Sequence, residues 1–221
     1  KSKRKSSQDN PVGYKLTLRD LTRQIPTLDD LLEIEREINS FSDQNAAIVL
    51  ASVVDRYLEL AIVEKLERND DETRAQLTAT GGALDGFFAK INLGYAMGLF
   101  NVKRRNDLES IRRIRNCFAH SPKVITFDTP QINKECSAIA LGRSLRPNYS
   151  NRDRYVYACN RITKILISGV ALKMIKAIRE KFAKIGGKYS EYVDEIDQQM
   201  NTLEDHYKLM TDTVSNNERS P

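Results

Sequence analysis

The sequence predicts an all-α fold, and three observations carry that prediction. Apolar residues recur at three- and four-residue steps through the long segments, the period of one helix face. Ser, Thr, Asp or Asn stands where several of these stripes begin, as helix caps do. No segment alternates apolar and polar residues in the way a half-buried strand would.

Residues 1–26 carry little periodicity and read as an irregular, basic N-terminal segment closed by Pro26. Thr27, with Asp30 three residues on, makes a capping box for a helix bearing Leu28, Leu31, Leu32 and Ile38. The strongest helix spans Asp43–Leu66, where Leu50, Val53, Val54, Tyr57, Leu58 and Ala61 share one stripe. The polar stretch from Arg68 to Gly82 is expected to be a loop. A second amphipathic helix is expected from Ala83 to Met97, with Leu84, Phe87, Phe88, Ile91 and Tyr95 inward and Gly98 as terminator. Asn106 and Glu109 form a capping box for a helix whose stripe is Leu108, Ile111, Ile114 and Phe118. Pro122 disfavours helical geometry at Ser121, so that helix should stop at about His120. Residues 123–149 look irregular apart from one short helix with Thr129 as cap and Pro130 at its first position. Ser150 and Asp153 then open the longest helix, to about Ala183, with Tyr155, Cys159, Ile162, Leu166, Val170 and Ile178 along its stripe. Residues 27–185 are therefore expected to form one helical bundle.

Beyond Gly186-Gly187, Tyr189, Val193, Ile196, Met200, Leu203, Tyr207 and Met210 follow an unbroken a/d heptad spacing. Residues 188–213 are expected to be one acidic helix, either folded back on the body or joining a second copy or partner; 214–221 should be disordered. Net charge divides unevenly: residues 188–221 hold 3 Lys/Arg against 8 Asp/Glu, and residues 1–187 hold 32 against 22. A body at +10 can meet polyanions, and the run Lys103, Arg104, Arg105, Arg112 and Arg113 is the candidate RNA-contacting patch.

Composition is that of a globular protein, 40% hydrophobic and 29% charged. No window approaches the roughly 18 apolar residues of a membrane span, and the basic N-terminal residues lead into no apolar run, so neither a membrane partner nor a secretory signal is expected. Cys117, Cys136 and Cys159 lie far apart, form no CxxC pair and have only His120 and His206 to help them. No metal and no cofactor is expected, and reduced thiols in a cytoplasmic setting are the default. Cys117 reads as a packed thiol, not as a nucleophile.

The segment with chemical promise is Arg115-Asn116-Cys117-Phe118-Ala119-His120. On a helical wheel Arg115 falls about 40° from Ile111, inside the apolar stripe, while His120 lies about 140° from Arg115. Asn116 and His120 are one turn apart and share a face. An Arg on a packed side needs a carboxylate, a hydrogen-bond network or an anionic ligand. Asp55, Glu64 and Asp85 are the candidate carboxylates, and the sequence does not choose among them.

Arg115-x4-His120 resembles the RX4–6H motif of HEPN domains, helical bundles that include metal-independent ribonucleases and toxins. The surrounding text is closer to the mannitol operon repressor family, a HEPN-like group. It is carried by Ala51-Ser52 with Asp55, Phe88-Ala89-Lys90-Ile91, Tyr95 to Leu99, Ile114 to Ser121, and Phe127-Asp128. The resemblance covers roughly residues 40–145 and leaves out the long helix and the heptad tail. Lys90 and Tyr95 also make sense as a snorkelling base and a core ring.

The resemblance implies a HEPN-like bundle with a long C-terminal helix, and it implies two functions. The repressor family implies a regulator that self-associates, as a homodimer, and acts through a protein or nucleic-acid partner. The ribonucleases imply a catalytic set of Arg115, Asn116 and His120 joined by Asp55 from an earlier helix, with two motifs meeting across a dimer. In that reading His120 exchanges a proton with the ribose hydroxyl or leaving oxygen, as a histidine can near neutral pH. Arg115 holds the scissile phosphate, and Asn116 orients one or the other. A third expectation, from the tail alone, is a scaffold that recruits a partner.

Overall fold

The structure is a computed structural model that describes residues 21, 24–68, 70–144, 149–185, 196–198, 200–202 and 204. It is all-helical among these residues. In chain order the helices are α1 (Leu28–Glu37), α2 (Asp43–Val63), α3 (Asp71–Thr78), α4 (Phe87–Ala96), α5 (Val102–His120), α6 (Pro130–Ala138) and α7 (Asn151–Ile185). Short 3-10 turns follow α1 at Ile38–Ser40 and α6 at Leu141–Ser144. None is long and apolar enough to cross a membrane among the described residues.

α2 is the hub, and its sequence shows why. Ser42 caps it by accepting from the Asn45 N–H, and its burial extends around most of its circumference: Ala46, Ala47, Leu50, Ala51, Val54, Leu58 and Ile62 are all within the core. Small residues in the first turns let α7 approach closely, and α7 makes the most extensive contact with it. α7 runs parallel to α2 from the same end. The Tyr155 hydroxyl donates 2.8 Å to the Ala47 carbonyl, and Arg152 pairs with Asp43 at 2.6 Å. α5 runs the other way, bringing its last turn to the start of α2, where Gln44 Nε2 donates 3.1 Å to the Phe118 carbonyl. That carbonyl is among the four that a helix end leaves without an intrahelical partner.

Several expected elements stand as read. Thr27 and Asp30 form the reciprocal capping box, α5 stops at His120, Pro130 opens α6, and Ser150 with Asp153 precedes α7. Gly98 adopts φ +67°, and the Leu99 N–H reaches back to the Gly94 carbonyl, so the chain ends α4 with the left-handed turn that glycine permits.

Four expectations are corrected. The stretch from Arg68 to Gly82 is not all loop, because Asp70 caps a short helix by accepting from the Thr73 N–H. α5 starts four residues before Asn106, since Asn101 accepts from the Arg104 N–H and takes the cap position. α4 is rotated: Phe88 and Tyr95 are 55% and 38% exposed, while Lys90 and Gly94 turn inward with Ile91. The guanidinium groups of Arg112 and Arg105 cover the two outward rings at 5.2 and 4.9 Å, which lowers the cost of leaving them at the surface. Ile178, expected on the α7 stripe, is exposed.

Of the heptad positions, Ile196 and Met200 are helical and half-buried, while Tyr189, Val193, Leu203, Tyr207 and Met210 lie outside the described residues. Asp197 takes a hydrogen bond from Arg179 Nη2 at 2.8 Å, and Glu204 pairs with Lys176 at 2.5 Å. These described tail residues therefore lie against the C-terminal half of α7, antiparallel to it.

Candidate functional site

The motif occupies the last turns of α5, at the end of the bundle where α2 and α7 both begin. Phe118, on the buried face, sets the position of the rest. Its ring meets Phe127 at 5.1 Å between centroids, and Phe127 meets Tyr155 at 5.2 Å, both tilted. Such aromatic pairs favour tilted over face-to-face contact. Phe127 is pinned a second time, its N–H donating 3.0 Å to Asp43 Oδ2. Arg152 closes the cluster: Nη1 bonds Asp43, and Nη2 donates 2.7 Å to each of the Ile38 and Phe41 carbonyls. Helix end, loop and both helix starts are therefore fixed to one another.

Past His120 the Ser121 N–H bonds the Cys117 carbonyl, and Ser121 with Lys123 makes a tight turn that carries the chain away. His120 is left exposed on the final residue of α5. It shares an open groove of about 480 Å³ with Asn116 and Cys117, whose opposite wall is formed by Ile125, Thr129 and Ile132. Cys117 is exposed, which corrects its reading as a packed thiol. Arg115 is half-buried, and its Nη1 donates 3.0 Å to Asn116 Oδ1. Asn116 thus links Arg115 to the groove that His120 lines.

None of the three candidate carboxylates partners Arg115. Asp55 bonds Lys90 at 2.9 Å, Glu64 bonds Arg74 at 3.1 Å, and Asp85 accepts from the Gly81 N–H. No carboxylate lies within ion-pair distance of Arg115 among the described residues. Asp55 also sits eleven residues beyond Gln44 on α2, about 16 Å along the helix from the contact with Phe118. Within one chain Arg115, Asn116 and His120 come together, and Asp55 does not join them.

Asp55 instead belongs to a buried charge cluster that periodicity did not reveal. Lys90, 2% exposed, places Nζ 2.9 Å from Asp55 and 2.7 Å from Glu59, and Arg56 holds the other Glu59 oxygen at 2.7 Å. Burial raises the Asp55 carboxyl above the usual range despite the Lys90 charge. Glu59 is also pushed up by burial, but hydrogen bonds from Lys90 and Arg56 outweigh it and hold the group low. The available signal was the pair Asp55 and Glu59, one turn apart on a helix expected to be deeply packed.

The basic run does not form a bare cationic surface. Arg104 is buried against Asp107, a correction to its place in the patch. Arg112 is held by Glu109 at 2.9 Å, and Arg113 by Glu135 at 2.9 Å. Arg105 bonds Asn92 and covers Tyr95, and Lys103 is half-buried. Among the described residues no three His, Cys, Asp or Glu side chains converge to hold a metal ion.

Burial separates the thiols. It pushes Cys136 up to about 12 and raises Cys159 as well. Iodoacetamide at mildly alkaline pH is therefore expected to modify Cys117 alone in the folded protein, with the other two reacting only after denaturation. Peptide mass mapping checks this, and labelling of Cys159 as fast as Cys117 would contradict the packing of α7. No protein-family model, curated protein or solved structure matches the chain.

Proposed function

We propose that the protein is a regulatory, HEPN-like helical bundle of the mannitol operon repressor type. It self-associates as a dimer and acts by binding a protein or nucleic-acid partner at the His120 end of α5. The observation that carries this reading is the groove itself. It is open to solvent and presents Ile125 and Ile132 across from Asn116 and His120. A few polar groups set among apolar walls suit binding and orientation. Arg112 and Arg113, which precede the motif on α5, are compensated within the chain, which weakens their attraction for phosphate backbones.

A second reading, a metal-independent endoribonuclease, is favoured by one observation. Arg115 has no carboxylate partner among the described residues, and it is joined through Asn116 to the groove of His120. A scissile phosphate would supply the missing negative charge.

Labelled RNA incubated with the purified protein in EDTA separates the two. The regulatory reading expects intact RNA and no difference between wild type, Arg115→Ala and His120→Ala. Cleavage by wild type that both variants lose would replace that reading with the ribonuclease. Self-association has its own measurement. The chain is 25.2 kDa, and a particle of that mass in solution would remove the dimer from the proposal. Deleting residues 188–221 asks whether the tail holds the dimer, and an unchanged mass per particle would exclude it from that role.

A further inference from the structure

The other end of α5 carries a second cavity, about 510 Å³, unrelated to the groove at His120. Arg104 on its wall is 16 residues from His120, about 24 Å along the helix. The cavity opens between the last turns of α2, the Gly98–Phe100 corner and the middle of α7. Phe100, Leu108, Ile162, Leu166 and Val170 give it an apolar interior. That volume lies within the roughly 300–1,000 Å³ of small-molecule sites.

Its charges have one sign where they are uncommitted. Glu64 is paired with Arg74, and Glu204 with Lys176. Lys65 and Lys173 stand exposed on the lining. Arg104 has a side chain 9% exposed, bonds Asp107 through Nη1, and buries Nη2 with no hydrogen-bond partner among the described residues. A buried guanidinium N–H without an acceptor is costly. Burial and the neighbouring Arg161 both work against its charge, while Asp107 supports it. Asp107 offsets the charge of Arg104, so the uncommitted positive charge of the lining lies on Lys65 and Lys173.

We propose that this cavity binds an amphipathic monoanion, a medium-chain carboxylate whose alkyl body lies between α2 and α7 and whose head meets Lys65 and Lys173 at the opening. Lys65 and Lys173 draw the anion to the mouth, and the apolar walls exclude water from its chain. The site does not rest on the reading of the groove at His120, and either can fail alone.

Calorimetric titration of dodecanoate into the full chain tests it, with dodecanol as the uncharged body of the same length. Saturation at one dodecanoate per chain, with dodecanol about tenfold or more weaker, is the expected result, since a hydrogen bond to a charged group discriminates by that order. The variant chosen is Val170→Phe, which fills the cavity from α7. Ala61→Met, from the facing helix, repeats the test should Val170→Phe fail to fold. Either variant, folded by circular dichroism, should lose the saturable binding. Absence of binding to the full chain, equal affinity for acid and alcohol, uptake without saturation, or undiminished binding in a folded filling variant overturns the proposal.

Discussion

Replacing Lys90 with Met is expected to remove about 3–5 kcal/mol of folding stability at pH 7, the range found when one partner of a buried ion pair is deleted. Methionine fills much of the lysine volume, so the loss isolates charge from packing. Lys90 serves two carboxylates, Asp55 and Glu59, and Asp55 has its other oxygen buried without a partner among the described residues. Against a typical total of about 5–15 kcal/mol, this single change approaches the limit of what the fold can lose. The pH dependence gives a sharper check. In the wild type Glu59 sits below its usual value, so it contributes stability present above that value and lost as pH falls through the lowered one. Asp55 is raised, so its folded form takes up a proton first, and its contribution grows as pH falls through the raised value. The two oppose each other in the wild type. Without Lys90 both groups are pushed upward, and Lys90→Met should become more stable between pH 7 and pH 5. Urea denaturation at both pH values measures this. A loss below about 1 kcal/mol, or a variant that weakens on acidification over that interval, would refute the account.

Phe118→Ala is expected to cost about 3–5 kcal/mol, as a buried aromatic truncated in a close-packed core does. The ring is 1% exposed and is the first member of the Phe118–Phe127–Tyr155 row. Its loss should be felt locally as well as globally. The 121–129 loop is held by Phe127, and the groove wall bearing Ile125 is part of that loop. Amide exchange at residues 117–121 should therefore accelerate beyond the global change in stability, while α4 retains protection relative to it. Uniform acceleration across all helices would show that the row does not position the motif.

The helices were legible where a cap and a long stripe agreed. α2 and α7 carry both, and Pro122 ended α5 at His120 without help from tertiary contacts. α4 was misread because two registers fit its apolar residues almost equally. Lys90 decides between them, and a lysine looks like a surface residue until Asp55 and Glu59 are seen opposite it. α3 escaped because its eight residues include only Ala75 and Leu77 as apolar, too few for a stripe, and only Asp70 with Thr73 marks its start. Lys103-Arg104-Arg105 read as one surface, yet consecutive helical residues point about 100° apart. They need not share one surface, and Arg104 turns inward against Asp107. The motif was legible as a position. Its groove was not, because Ile125 and Ile132 come from the following loop and helix and reach His120 only through the Phe127 anchor.

The salt bridge of Arg152 to Asp43 and the bond of Tyr155 to Ala47 also bear on the order of events during synthesis. Their partners are separated by 109 and 108 residues. At a translation rate of about 5–20 residues per second, α2 waits roughly 5–20 s for the start of α7. Throughout that interval the face that will receive Tyr155 and Cys159 has nothing to cover it. The nascent chain therefore passes through a stage that a holdase chaperone would recognise, and ribosome stalling just before Asn151 should leave the emerged portion open to proteolysis.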